Sequence, residues 1–209
     1  MWRLGVIRPP LLVPNLWEVT QPAAHEPPLE QPEPAGSLAM PPWAIAVALV
    51  LAVATVARLG FSANSVAWAV VQIVLVGVAA YDLAHRRVKN VITIPLSVVA
   101  VLLRAAFERD ALVEVVVAGS VIFLVFFALS LFLRGGLGMG DVKLAGMLGF
   151  LLGWKVLTAL FIGAVGGGIA AAFVLSRGSE GRRSTMAYGP YLALGGALTI
   201  LFAHPPPLI

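Results

Sequence analysis

The 209-residue chain has no cysteine, only three histidines (His25, His85 and His204) and only ten acidic residues. The missing cysteine excludes disulfides, thiolate metal sites and a cysteine nucleophile. Charge is scarce as well: 11% of residues are charged and 60% hydrophobic, where a soluble domain has about 25% and about 45–50%. Such a balance excludes an ordinary soluble globule and points to a protein whose partner is a lipid bilayer. A net charge of +4, scattered along the chain, is too small for a nucleic-acid footprint. In a membrane protein the excess of Lys and Arg reports topology instead.

What is present falls into two parts. Residues 1–42 hold ten of the fifteen prolines, four glutamates (Glu18, Glu26, Glu30 and Glu33) and no sustained apolar run. Pro-rich polar sequence cannot bury enough surface to fold, so this stretch reads as a disordered tail. It is not a signal peptide, because Arg3 and Arg8 are followed by "PPLLVPN" rather than an apolar h-region. Its composition also leaves open a translation start at Met40, directly before the first apolar run.

A bilayer core of about 30 Å needs roughly 17–25 apolar residues per helix. Apolar runs lie near 43–59, 66–84, 91–107, 113–133, 142–156, 158–176 and 189–204. The fold expected is therefore all-α, a polytopic membrane helix bundle of about seven transmembrane helices. An extra N-terminal span over 43–60 precedes a six-helix membrane domain over 66–204. The fifth run is short and is separated from the sixth by Gly153-Trp154-Lys155, where a single kinked helix is the alternative. The connections at 84–89 (Arg86, Arg87, Lys89), 133–136 (Arg134) and 177–183 (Arg177, Arg182, Arg183) are richer in basic residues than those carrying Arg58, Arg104 with Arg109, and Lys155. By the positive-inside rule the first set faces the cytoplasm.

Of the ten acids, four lie in the tail, and Glu108, Asp110, Glu114 and Glu180 fall in connections or at span ends. Asp82 closes the run "VVQIVLVGVAAYD" and Asp141 opens "DVKLAGMLGFLLG". Ionisable groups at membrane depth are costly and usually functional. The charge topology puts both at the cytoplasmic ends of their helices. Two carboxyl groups that meet cannot both ionise easily, so they share a proton. The ionised one can take a proton from water, and the protonated one can donate to a carbonyl oxygen. That is the chemistry of an aspartyl protease, and it needs neither metal nor cofactor. Asp141 is preceded by "GGLGMG", four glycines in six residues, which free the backbone for unusual dihedrals and close approach.

These residues carry a family resemblance. Gly138-Met139-Gly140-Asp141-Val142-Lys143 resembles the GxGDxK signature of type IV prepilin peptidases, part of the GxGD class of membrane aspartyl proteases. "YDLAHRRVKN" at 81–90 is similar to that family's first-aspartate segment, in which an Asp is followed by a basic pair and an Ile-Pro-Asn element. Asp82, Arg86, Arg87 and Asn90 match, Val88 is a conservative change, and Lys89 stands where the family has proline. "YGPYLALGG" at 188–196 resembles the family's final helix, which commonly begins near a Gly-Pro, here Gly189 and Pro190. The resemblance covers about residues 66–204.

It implies Asp82 and Asp141 as catalytic residues of a membrane aspartic endopeptidase, with no cofactor. The substrates implied are type IV prepilin-like precursors, cut between a short basic leader and a hydrophobic helix at the cytoplasmic face of the plasma membrane. Larger bacterial members carry an N-terminal domain, often with paired CxxC motifs, that methylates the new N-terminus. A cysteine-free chain without such a domain is expected to cleave without N-methylation.

Lys143 either stabilises the Asp141 carboxylate, contacts substrate, or is an interfacial lysine that obeys topology. Arg86 and Arg87 fit the basic connection that topology needs, and would repel a basic leader. His85 either tunes the carboxylates or is a polar loop residue. Gly149-x-x-x-Gly153 and "GAVGGG" at 163–168 read as helix-packing seams. Other functions compete. Tyr81-Asp82 matches the Tyr-Asp pair of the presenilin and signal-peptide-peptidase branch, but two apolar spans separate the aspartates and that branch's Pro-Ala-Leu motif is absent near the C-terminus. A proton-coupled transporter would use the aspartates as relay groups, but would favour deeper acids and broken helices in matched halves. A pure assembly scaffold would need neither aspartate.

Overall fold

The computed structural model describes residues 40–85, 90–132, 137–176, 188–203 and 205–209, with the side chains of Asn90 and Val91 excepted. All but the last three residues of the expected tail at 1–42 lie outside this set. The described residues form seven helices and no strand. They are α1 (Pro42–Leu59), α2 (Ala63–His85), α3 (Asn90–Phe107), α4 (Arg109–Phe132), α5 (Met139–Leu152), α6 (Val156–Ser176) and α7 (Gly189–Phe202), with a three-residue 3₁₀ turn, Gly153–Lys155, between α5 and α6.

Local chemistry sets the ends of these helices. Pro42 opens α1, where its missing N–H has no intrahelical partner to lose. Gly60, at φ 78°, takes the chain out of α1 in a conformation that glycine adopts at little cost. Ser62 and Ser65 cap α2 reciprocally: the Ser65 N–H donates to Ser62 Oγ at 3.1 Å, and the Ser62 N–H to Ser65 Oγ at 3.0 Å. The far end of the chain is tied to the same helix. Trp68 Nε1 donates to the Pro206 carbonyl at 3.2 Å, and the Leu208 N–H to Asn64 Oδ1 at 2.7 Å.

Four apolar stretches are long enough to cross a membrane: Pro42–Leu59, Ala63–His85, Arg109–Phe132 and Met139–Ser176, the last comprising α5, the turn and α6. Many large apolar side chains point outward, among them Val50, Val53, Leu124, Phe161, Ile169 and Phe173. That surface suits lipid, and the chain is a multi-pass membrane protein built as a helical bundle. Within it α5 packs against α3 and α4, α6 against α7, and α1 against α2 and α7. A core of Trp68, Leu75, Leu144, Leu148, Leu152, Leu192 and Ile200 fills the centre.

The seam at Gly149 is real, since a Cβ there would stand 2.7 Å from the Gly119 Cα of α4. Gly153 continues it one turn on, where a Cβ would run into Glu114 Oε1 and lie 3.5 Å from Val115 Cγ1 of the same α4. At φ 60° it breaks the run, so α5 and α6 are separate helices with different neighbours rather than one kinked rod.

Gln72 is buried on α2 and joins three helices. Its Nε2 donates to the Ala197 carbonyl of α7 at 3.0 Å and to Thr55 Oγ1 of α1 at 3.2 Å. Thr55 Oγ1 in turn donates to the Leu51 carbonyl at 2.8 Å. Inside a bilayer such hydrogen bonds between helices are worth about 0.6–2 kcal/mol. Gln72→Leu should therefore lower the unfolding free energy by about 1 kcal/mol, measured by titration from mild into denaturing detergent. A double-mutant cycle with Thr55→Val should give a coupling of about 0.6 kcal/mol.

Candidate functional site

Three helix ends converge at one face of the bundle: the last turn of α2, the first turn of α5 and the first turn of α7. Asp82 occupies the first. It is only 4% exposed, whereas Leu83 and His85 on the same turn are exposed. His85 stacks on the Tyr81 ring, with centroids 4.1 Å apart, and its Nδ1 lies 3.2 Å from the Tyr81 carbonyl.

Asp141 is the third residue of α5. Gly138 is the N-cap, and its carbonyl accepts the Asp141 N–H at 3.0 Å. A carboxylate in the first turn meets the positive end of the helix dipole and its unpaired N–H groups. The expectation that the glycines before Asp141 supply unusual dihedrals is not met at Gly138, which is extended at φ −67°. A Cβ there would lie 3.5 Å from Asp141 Oδ2, an ordinary contact. Gly140 is a half-buried helical residue, and Lys143 is half-buried further along α5.

The glycine that shapes the site is Gly189. Its backbone lies close against the Asp82 carboxylate. A Cβ on Gly189 would stand 2.5 Å from Asp82 Oδ2, 3.0 Å from Asp82 Cγ and 3.4 Å from Asp141 Oδ1. Both carboxylates therefore border the same small space. They stand within the roughly 4–6 Å over which one charge governs the ionisation of another, and the Asp82 charge acts on Asp141. Sequence reading singled out Gly189 as the start of a helix; the structure makes it a wall of the site.

Tyr188 was not singled out. It caps α7, lies within reach of the Asp141 charge, and seats its ring over Gly167 of α6, where a Cβ would be 2.8 Å from Tyr188 Cε2. The signal available in the sequence was an aromatic residue immediately before Gly-Pro, with a glycine-rich helix upstream to receive it. Pro190 follows in the first turn of α7 and lines a cavity of about 290 Å³ between α1, α2 and α7, together with Leu83, Trp43, Val47 and Leu194. Arg86 and Arg87 lie outside the described residues. Asn90 begins α3, and its side chain is likewise not described.

The arrangement thus offers two carboxyl groups sharing one space, walled by the Gly189 backbone, at a helix-lined face of a membrane bundle. Such a pair can pass protons to and from a molecule placed between them.

Comparison with known proteins places the chain in a family. Residues 69–174 match the model of the type IV leader peptidase family. The prepilin leader peptidase/N-methyltransferase of Burkholderia pseudomallei (strain 1026b) is 41% identical over 76 residues, 35% of this chain and 25% of that protein. The protein of the same name from Bacillus subtilis (strain 168) is 37% identical over 82 residues, 38% of this chain and 33% of its own. The one from Escherichia coli (strain K12) is 29% identical over 124 residues, 57% of this chain and 55% of its own. The chain thus spans between a quarter and about half of these relatives. No solved structure matches. The family match covers Asp82, Asp141 and the helices between them, and the chain belongs to the type IV leader peptidase family.

Proposed function

We propose that this chain is a membrane-embedded aspartic endopeptidase that removes the basic leader from type IV prepilin-like precursors at the cytoplasmic face of the plasma membrane. The observation that carries the reading is the pair of carboxylates bordering the Gly189 backbone. Family membership and the printed names of the relatives support the substrate class.

In this reading Asp82 and Asp141 share one proton. The ionised carboxylate removes a proton from a water between them, and the hydroxide formed adds to the scissile carbonyl carbon. The protonated carboxyl gives its proton to the carbonyl oxygen. Collapse of the tetrahedral intermediate breaks the C–N bond, and the amine of the mature chain leaves with a proton from the dyad. The absence of a Cβ at Gly189 leaves room for the Asp82 carboxylate beside Asp141. The basic cluster at 86–89 marks the cytoplasmic side. These 209 residues carry no cysteine, so no CxxC pair, and cleavage is assigned to them without N-methylation. A transporter reading gains no support from two acids at a helix-end face.

Asp82→Asn and Asp141→Asn should each lower processing of a co-expressed prepilin by about 10²–10⁴-fold while the protein still inserts in the membrane. Either variant cutting at the unmodified rate, read as precursor and mature bands on a gel, would falsify the dyad. Gly189→Ala should lower kcat at least about tenfold, because a displacement of Asp82 by a fraction of an ångström is expensive in rate. Gly138→Ala, where the added methyl makes an ordinary contact, should keep kcat within about threefold and cost only about 0.5–1 kcal/mol of helix capping. Equal losses in the two glycine variants would show that Gly189 does not wall the site.

A further inference from the structure

The far end of α5 is held by polar groups as closely as the end that carries Asp141. α5 has 14 residues, a rise of about 21 Å against about 30 Å of hydrocarbon. With Asp141 at one membrane face, the other end stops within the bilayer depth. A helix ending there leaves carbonyls with no water to accept from.

Arg104 of α3 supplies the donor. It is wholly buried, 0% exposed, and its Nη2 donates to the Leu151 carbonyl at 2.6 Å. Its Nε and Nη1 have no hydrogen-bond partner among the described residues. Glu114 of α4 serves the adjoining turn: its Oε1 accepts the Trp154 N–H at 3.2 Å. The Glu114 and Glu108 charges both act on Arg104. Between these contacts Gly153 turns at φ 60°, and a Cβ on it would run into Glu114 Oε1.

Nothing in composition alone requires a break here. By length and composition the 38 residues Met139–Ser176 count as one candidate span, able by pattern to form one continuous helix. Packing alone would not call for an arginine either, since an aliphatic side chain would fill the space without the cost of a buried guanidinium. What arginine and glutamate add is a fixed stop, with donor and acceptor at set positions.

We propose that Arg104, with Glu114, is a positioning residue for the dyad: it fixes where α5 ends, and through the rigid length of α5 where Asp141 stands against Asp82. The link to cleavage rests on the peptidase reading above; the positional claim does not. In the reconstituted full chain, Arg104→Met keeps the stem and removes every donor. It should lower kcat for prepilin cleavage at least tenfold with KM within twofold, and Arg104→Lys should recover kcat to within about threefold of the unmodified chain.

Because the chain has no cysteine, Asp82→Cys with Asp141→Cys gives a reading that needs no activity. A short thiosulfonate cross-linker should join the two thiols at least fivefold faster with Arg104 present than with Arg104→Met. Should Arg104→Met fail to insert, Glu114→Gln decides the matter in the same cysteine pair, with an expected slowing of at least twofold. An unchanged cross-linking rate overturns the proposal whatever the activity does, as does a change confined to KM. A slowed rate in a chain whose Asp82→Asn and Asp141→Asn variants still cleave would leave the positioning role standing and remove the peptidase reading instead.

Discussion

A bilayer core supplies no hydrogen-bond partners, so a polar group at that depth must find one inside the bundle. This constraint organises the molecule. Gln72 answers it at mid-helix by linking α2 to α1 and α7. Arg104 and Glu114 answer it where α5 ends. In water each of these contacts would be worth little; here each stands in for solvent the group cannot reach.

Satisfying those groups requires backbones to come close, and small residues permit it. Lipid tails are as apolar as leucine, so association of helices rests on packing and hydrogen bonds rather than on a hydrophobic drive. The tightest approaches are glycine contacts: Gly149 against Gly119 on α4, Gly163 of α6 against the Tyr191 carbonyl of α7, and Gly195 of α7 against the Ala159 carbonyl of α6. The α6–α7 contact fixes the height of α7, which in turn delivers Gly189 to Asp82. The glycine-rich helix that touches neither carboxylate is in this sense upstream of the site.

Much of the architecture was legible in the sequence, because hydropathy depends on depth and depth is what the bilayer imposes. The runs near 43–59, 66–84, 91–107, 113–133, 158–176 and 189–204 coincide with helices to within a few residues. Asp82 and Asp141 could be paired by elimination among ten acids. Facing was not legible. Hydropathy counts Arg104 as one more basic residue of a connection and Glu114 as a span-end acid; only the packing of α3, α4 and α5 shows them gripping a helix end. The reason given for the glycines before Asp141 was likewise misplaced at Gly138, whose φ is ordinary. Steric clearance for the carboxylates comes from a glycine 48 positions later in the chain, and no local pattern encodes that separation.

α1 lies outside the family match, which begins at residue 69, yet it is not an appendage. Its buried face is a stripe of Ala44, Ala48, Ala52 and Thr55, spaced three or four residues apart on one side of the helix. Ala44 and Ala48 pack with Val76 and Ala80 of α2, and Ala80 is one residue removed from the last turn's Tyr81-Asp82. α1 also touches α7. It therefore braces the two helices that contribute Asp82 and Gly189. The hydrogen bond between Thr55 and Gln72, which itself reaches α7, fixes that brace in register. A helix with no share in the chemistry thus helps to set the separation between a carboxylate and the glycine backbone packed against it.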